Sequence, residues 1–173
     1  DYLEQAGKVR HFGVSNQNPM MMELLKTAVK QPLKVNQLQL SAAFTPSFEA
    51  GFHVNMEGPK AAVRDGSVFE YCRLTDTVIQ AWSVLQHGYF KGNFVGKEEF
   101  AALNHVLNDL AKKYQVTPTA IALAWVLRYP GKMQAIIGTT NPRHVLEAGK
   151  AAAVTLTRKE WYQIYLAAGN DLP

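Results

Sequence analysis

Four short apolar stretches, each followed by one or two helical patterns, constrain this chain more than any other feature. They run over Val9 to Val14, Lys34 to Leu40, Thr77 to Trp82 and Met133 to Gly138. Strands joined by helical crossovers lie parallel, and a parallel sheet needs both of its faces covered. An α/β fold with four parallel strands follows. Two architectures accommodate it: an open doubly wound sheet, or part of an eightfold barrel.

The chain opens on DYLEQAGK, which reads as the last turns of a helix with Gly7 at its C′ position. Neither an initiator Met nor an N-cap precedes it, so the expectation is a fragment that begins inside an element. VRHFGV (9–14) then ends in Ser15-Asn16. Asn18-Pro19 opens a helix whose Met21, Leu24, Leu25 and Ala28 are spaced as one buried face, and Pro32 closes it. In KVNQLQL (34–40), Leu38 and Leu40 share one face, with Val35, Gln37 and Gln39 on the other. Glutamines opposite leucines are unusual if that face is plain core. Residues 41–67 carry Pro46, Gly51, Gly58, Pro59 and Gly66 and read as an irregular lid or pocket wall.

A short helix at 68–73 leads into TVIQAW (77–82), where Val78, Gln80 and Trp82 share a face. A glycine-rich, aromatic loop occupies 83–96. The helix expected over 97–114 buries Phe100, Leu103, Leu107, Leu110, Ala111 and Tyr114. Thr117-Pro118 caps a helix that is apolar nearly all round as far as about Arg128, the pattern of an element sandwiched between neighbours. Near the end, the T-x-x-E of Thr157 and Glu160 is a capping box for a helix to Ala168, closed by Gly169.

Between these lies MQAIIGTTNPRHVLE (133–147). A strand ends in Gly138, Thr139 and Thr140, and a helix opens with Asn141 as N-cap and Pro142 in its first position. Such a turn presents backbone N–H groups at the positive end of a helix dipole, which suits a phosphate. Arg143 and His144 in the first turn oppose that dipole, which makes sense if an anion docks there. On local residues alone, a well-capped strand-to-helix turn explains the stretch equally well.

The suggestive polar groups (Ser15, Asn16, Gln37, Ser41, Trp82, Ser83, Gly138, Thr139) all fall at the C-terminal ends of strands. Barrel active sites sit there, with a phosphate site after the last two strands. The 173 residues, 47% hydrophobic and 18% charged, suffice for one domain with a core. A net charge of +4, with Lys and Arg scattered, suits an anionic small ligand and gives nucleic acid no footprint. No apolar run is long enough for a membrane span, so neither nucleic acid nor membrane is an expected partner. The single cysteine, Cys72, excludes an internal disulfide, fits a reducing, cytoplasmic setting, and on its apolar helix reads as an inert buried thiol. His11, His53, His87, His105 and His144 lack metal-ligand spacing, so no metal is expected.

Six segments in order, GKVRHFGVSN (7–16), VNQLQLS (35–41), DTVIQAWSVL (76–85), AIALAWVLRYP (120–130), IIGTTNPRHVLEA (136–148) and TRKEWYQIYLAAG (157–169), resemble the C-terminal half of an aldo-keto reductase. The matched half contains strands five to eight of that family's (β/α)8 TIM barrel, and the short C-terminus resembles the bacterial subgroup. The resemblance implies one C-terminal half-barrel over 1–173, with the N-terminal half or a second copy completing it.

The resemblance also implies roles. Ser15, Asn16 and Gln37 match the family's grip on the nicotinamide carboxamide, and Trp82 the aromatic residue that stacks on the ring. Ser83 and Leu85 match pyrophosphate contacts. Gly138, Thr139, Thr140, Asn141, Arg143 and His144 fall at the adenosine 2′-phosphate, and Glu147 near the adenine or its ribose. NADP is the implied cofactor, with NAD as the alternative. Val84, Gln86 and His87 stand where the subgroup has Pro and glycines, implying a looser pyrophosphate loop. His144 stands where the phosphate arginine usually falls, with Arg143 one position earlier.

The family's catalytic Tyr, Asp, Lys and His come from its first four strands, and none maps onto this chain. The implied activity is hydride transfer between nicotinamide and a carbonyl substrate, an aldehyde or ketone. Phe44, Phe48 and Phe52 are expected to line part of the substrate pocket, and the fragment alone is expected to be inactive. A non-catalytic nicotinamide-binding barrel used in sensing or protein contact is the alternative. A sugar-phosphate aldolase or isomerase barrel is a third, against which the carboxamide grip argues.

Overall fold

The computed structural model describes residues 2–52, 67–88 and 91–170. All four expected strands are present, as β1 (Phe12–Ser15), β2 (Leu33–Gln39), β3 (Val78–Trp82) and β4 (Met133–Ala135). They form one parallel sheet in the order β1-β2-β3-β4. The helices are α1 (Tyr2–Gln5), α2 (Pro19–Ala28), α3 (Pro46–Phe52), α4 (Val68–Leu74), α5 (Ala101–Tyr114), α6 (Pro118–Leu127), α7 (Pro142–Gly149) and α8 (Arg158–Ala167). Among the described residues, no helix is long and apolar enough to cross a membrane.

The outer strands are shorter than their apolar runs. At the front, α1 ends in a Schellman turn around Gly7, which has φ of 65°. Its Leu3 carbonyl accepts the N–H groups of Lys8 and Val9 at 3.0 and 3.2 Å. Val9 has therefore committed its donor to the helix end and cannot start the ladder, so β1 begins only at Phe12. Beyond β4, the ladder continues by one bond, from Ile136 N–H to the Ala81 carbonyl at 2.8 Å.

Period-two alternation gives the sheet two unlike faces. One carries Leu38, Leu40, Ile79 and Ala81, all buried against the helices. Helix α6 lies inside this layer, with every residue from Ala120 to Val126 buried, as its all-round apolarity requires. Trp125 stacks on Trp161 of α8 at 4.8 Å between ring centroids, and each indole N–H donates to the other residue's carbonyl at 3.0 Å. Two buried polar groups thereby become partners, and the contact is both apolar and satisfied. The opposite face carries Gly13, Ser15, Val35, Gln37, Val78, Gln80 and Trp82. A Cβ on Gly13 would lie 2.7 Å from the Val35 Cβ, so β1 and β2 reach this spacing only with glycine there.

Three expectations change. In α2 the buried residues are Pro19 and Met22, while Met21 and Leu24 are 46% and 63% exposed. The helix seats on β2 through Met22, whose sulfur receives the Asn36 side-chain N–H at 3.5 Å. That contact fixes the rotation of α2, and no described element covers the Met21/Leu24 stripe. Second, 46–52 is helical rather than irregular; 53–66, with His53 and the rest of the expected lid, lie outside the described residues. Third, Phe48 is core. It sits 2% exposed among the rings of Phe69, Trp125, Tyr129, Trp161 and Tyr165.

The capping box of α8 forms as expected and becomes an electrostatic node. Glu160, 7% exposed, accepts from Lys113 Nζ at 2.5 Å, Tyr114 Oη at 2.8 Å, and the N–H and hydroxyl of Thr157 at 2.7 Å each. Burial alone would raise its pKa. Lys113, the Thr157 N–H and hydroxyl and the Tyr114 hydroxyl outweigh that and lower it from 4.5 to about 2. A depressed carboxylate stabilises the fold above its unfolded pKa, and that contribution disappears as pH falls through the folded value. Unfolding free energy measured in urea should therefore fall between pH 4.5 and about 2. Glu160→Gln should remove that part of the slope, whereas an unchanged slope would contradict the assignment.

Candidate functional site

The parallel register sets the strand ends level. Ser15 pairs with Gln37, Gln37 with Gln80, and Gln80 with Gln134, so one polar row crosses all four strands on the face away from the helices. The row is connected. Ser15 Oγ donates to the Gln37 carbonyl at 3.3 Å, Gln37 Nε2 to Gln80 Oε1 at 2.9 Å, and Gln80 Nε2 to Gln134 Oε1 at 3.0 Å. One rung further along lies Trp82, half-buried and paired with Gln39 of β2. Alternation in the sequence puts Gln37 opposite its leucines and Gln80 with Trp82; Gln134 joins them only through its pairing with Gln80. The signal was present: period two in Met133–Ala135 turns Gln134 to the side opposite its apolar neighbours.

After Ser15 the chain leaves β1 through Asn16, whose φ of 54° lies in the left-handed region. Asn tolerates that region better than most residues. Its N–H donates to the Gln37 carbonyl at 2.8 Å, so Ser15 and Asn16 share one acceptor. The turn is pinned from the helix side by Asn36, fully buried, which donates to the Gln17 carbonyl at 2.8 Å and accepts the Gln17 N–H at 3.4 Å. Asn36 is the satisfied buried amide that its position suggests, and its work is to hold the Ser15–Asn16 turn in place. Burial pushes the Cys72 thiol up to about 11, with Asn36 opposing the rise and Glu70 adding to it. Cys72 is a free, buried thiol.

Ser83 begins the next loop, again with positive φ, 52°. Its carbonyl accepts from Gln86 N–H at 2.8 Å, the Gln86 carbonyl accepts from Ser41 Oγ at 2.5 Å, and the Leu85 carbonyl accepts from Phe94 N–H at 3.0 Å. Asn104, which no sequence pattern singled out, clamps the far end. It accepts from Gly96 N–H at 2.8 Å and donates to the Phe94 carbonyl at 2.9 Å. In place of a loosened loop, the described part is tied at both ends. The Leu85 side chain packs against the core.

Beyond the end of β4, Gly138, Thr140 and Asn141 are exposed and lead into α7. Asn141 caps the helix through Arg143 N–H at 3.0 Å and its own N–H donates to Thr139 Oγ1 at 3.2 Å. The positive helix end is less open than the sequence suggests. Pro142 has no N–H, Arg143 has given its own to Asn141, and Val145 donates to the Asn141 carbonyl at 3.1 Å. Among the described residues, that of His144 is left. Its ring Nδ1 lies 3.5 Å from Thr139 Oγ1. Arg143 Nε donates to Glu147 Oε1 at 3.1 Å, which neutralises part of the charge expected to face an anion. Among the described residues, no group of three His, Cys, Asp or Glu could hold a metal ion.

The Aldo/keto reductase family model matches residues 1–167. The chain is 33% identical over 174 residues to a 6-dehydroglucose reductase of Agrobacterium fabrum, covering 99% of this chain and 51% of the relative. It is 30% identical to Oxidoreductase YdhF of Escherichia coli, with 99% and 52% covered. A crystal structure of an aldo-keto reductase of the silkworm Bombyx mori superposes with a TM-score of 0.68 at 20% identity, over 96% of this chain and 44% of that one. This protein belongs to the aldo/keto reductase family, and its parallel sheet is of that family's TIM-barrel fold. The chain spans about half the length of the curated relatives it matches.

Replacing Asn36 tests how the strand end is held. Asn36→Leu strands the Gln17 N–H and carbonyl and should cost about 1–3 kcal/mol, the penalty for unsatisfied buried polar groups. Amide exchange at Asn16 and Gln17, read by hydrogen-exchange mass spectrometry, should accelerate. Unaltered exchange there would show that the turn is held by something else.

Proposed function

We propose that this chain supplies the cofactor-binding half of an NADP-dependent oxidoreductase that moves a hydride between a nicotinamide and a carbonyl substrate, an aldehyde or ketone. The observation that supports this reading most is the register-matched row Ser15–Gln37–Gln80–Gln134 with Trp82 one rung above it. The donor set fits a flat ring bearing an amide. Neither the Asn16 side chain nor Gln37 Oε1 makes a hydrogen bond to a described residue, and a carboxamide offers one acceptor and two donors to match them. An indole beside them provides the face on which a ring stacks.

In this reading Ser15, Asn16 and Gln37 hold the carboxamide, and Trp82 orients the ring. The backbone of Ser83–Leu85 takes the pyrophosphate. Thr139, Thr140, Asn141 and the His144 N–H receive a 2′-phosphate beside Gly138. Arg143 reaches that phosphate with its terminal nitrogens while Nε stays on Glu147, which lies on the adenine side. Such charge-assisted contacts favour NADP over NAD. The bound cofactor supplies the hydride; the residues here bind it and fix its orientation. The setting we propose is cytoplasmic.

The proton donor and most of the substrate pocket then belong to the first half of the barrel. Three observations support a completing half, or a second copy in its place. Among the described residues, β1 and β4 each pair on one side only. Met20, Met21 and Leu24 are exposed near one edge, and Ile136, Val145 and Leu146 near the other. The relatives are about twice as long. Following loss of NADPH absorbance with a panel of small aldehydes tests the proposal. The complete protein should turn over, and residues 1–173 alone should be slower by at least the roughly 10²–10⁴ that a general acid contributes. Robust turnover by residues 1–173 alone would contradict it.

A further inference from the structure

The amide row has a direction, and that direction sets what Gln37 shows to a ligand. Gln37 uses Nε2 on Gln80, and Gln80 uses Nε2 on Gln134. Each side-chain amide carries its acceptor and its donors on opposite arms, so orienting one member by its neighbour orients the next. With the Nε2 arm turned along the row, Gln37 presents Oε1, which receives no donor from the described residues. We infer that Gln80 and Gln134 are positioning residues for cofactor specificity. By holding the Gln37 carbonyl oxygen toward the site, they select a nicotinamide carboxamide, which has N–H groups to donate, over a nicotinic acid carboxylate, which only accepts. The inference rests on the cofactor reading above and goes further than it, because neither Gln80 nor Gln134 touches the ligand.

The row ends on β4, two strands from Gln37, a distance of about 9–10 Å. Gln134 is exposed, so changes there disturb little packing. Replacing it with a group of fixed polarity should therefore steer the row. In Gln134→Glu the terminal group still accepts from Gln80, and the direction is kept. In Gln134→Lys the terminal group can only donate. Gln80 must then turn its Oε1 toward β4 and its Nε2 toward Gln37, and Gln37 must turn its N–H groups to the site.

The test is equilibrium binding to the complete protein of three probes: NADP, its nicotinic acid analogue, and adenosine 2′,5′-bisphosphate, which lacks the nicotinamide half. The unaltered protein should bind NADP more tightly than the acid analogue by roughly 10-fold or more, the scale of one mismatched polar contact in a site. Gln134→Glu should keep that ratio, and Gln134→Lys should lower it by roughly 10-fold, with the bisphosphate affinity unchanged in both. A screened, direct attraction between Lys and the carboxylate is separated by cutting the row. In a Gln80→Met background, Gln134→Lys should no longer move the ratio, whereas a charge effect would persist and overturn the inference. An equal ratio in the Glu and Lys variants would also overturn it, as would parallel loss of all three probes with the fold intact. If Gln134→Lys does not fold, Gln134→Met removes the terminal acceptor in its place, and an unchanged ratio there would be equally fatal. Failure of the unaltered protein to bind NADP at all would instead bring down the cofactor reading, and this inference with it.

Discussion

The site depends on parallel register. Because all four strands run the same way and pair without offset at Ser15, Gln37, Gln80 and Gln134, their C-terminal ends are level and their side chains meet in one row. A slip of one residue in any strand would turn its whole set of side chains to the other face. Leu38 and Ile79 would then face the site and Gln37 or Gln80 the core. The apolar face, packed on α6 and its neighbours, therefore guarantees the polar one. The burial of Leu38, Leu40, Ile79 and Ala81 on the helix side stabilises the facing in which the amides point to the site.

Around that register, buried amides hold the loops. Asn36 faces the helices at the level of Gln17, and Asn104 lies on α5 beneath Phe94 and Gly96. Both are sealed from water, and both satisfy backbone groups that no strand or helix reaches. They tie down the turns that follow β1 and β3, and the site inherits its rigidity from residues outside it. The helix that follows β4 is held differently. Asn141 spends its side chain on the first turn of α7 and Arg143 pairs with Glu147, so this corner is an exposed, partly neutralised cradle.

Much of this was legible in the chain. Alternation in KVNQLQL and TVIQAW revealed two unlike faces, and the all-round apolarity of Ala120–Val126 revealed a helix buried between layers. Thr157 and Glu160 declared their cap. Less legible was whatever depended on a contact distant in sequence. Helical spacing in α2 pointed to Met21 and Leu24, but the seat on Asn36 selected Met22. Phe48 looked like a pocket wall because its neighbours in sequence are polar and its partners, Phe69 and Tyr129, come from other elements. Gln134 went unread although period two sets it apart from Met133 and Ala135, because Ile136 and Ile137 cut that alternation short and only pairing with β3 shows where it faces.

We propose that these strand ends hold a nicotinamide by its carboxamide, with the ring against Trp82 and the adenosine phosphate at the start of α7. A crystal structure of the complete protein with NADP bound tests it most directly. The carboxamide should lie between Asn16 and Gln37, with its N–H groups toward Gln37 Oε1, and the ring within stacking distance of the Trp82 indole. A cofactor bound elsewhere, or a ring turned away from Trp82 with Gln37 unengaged, would contradict it.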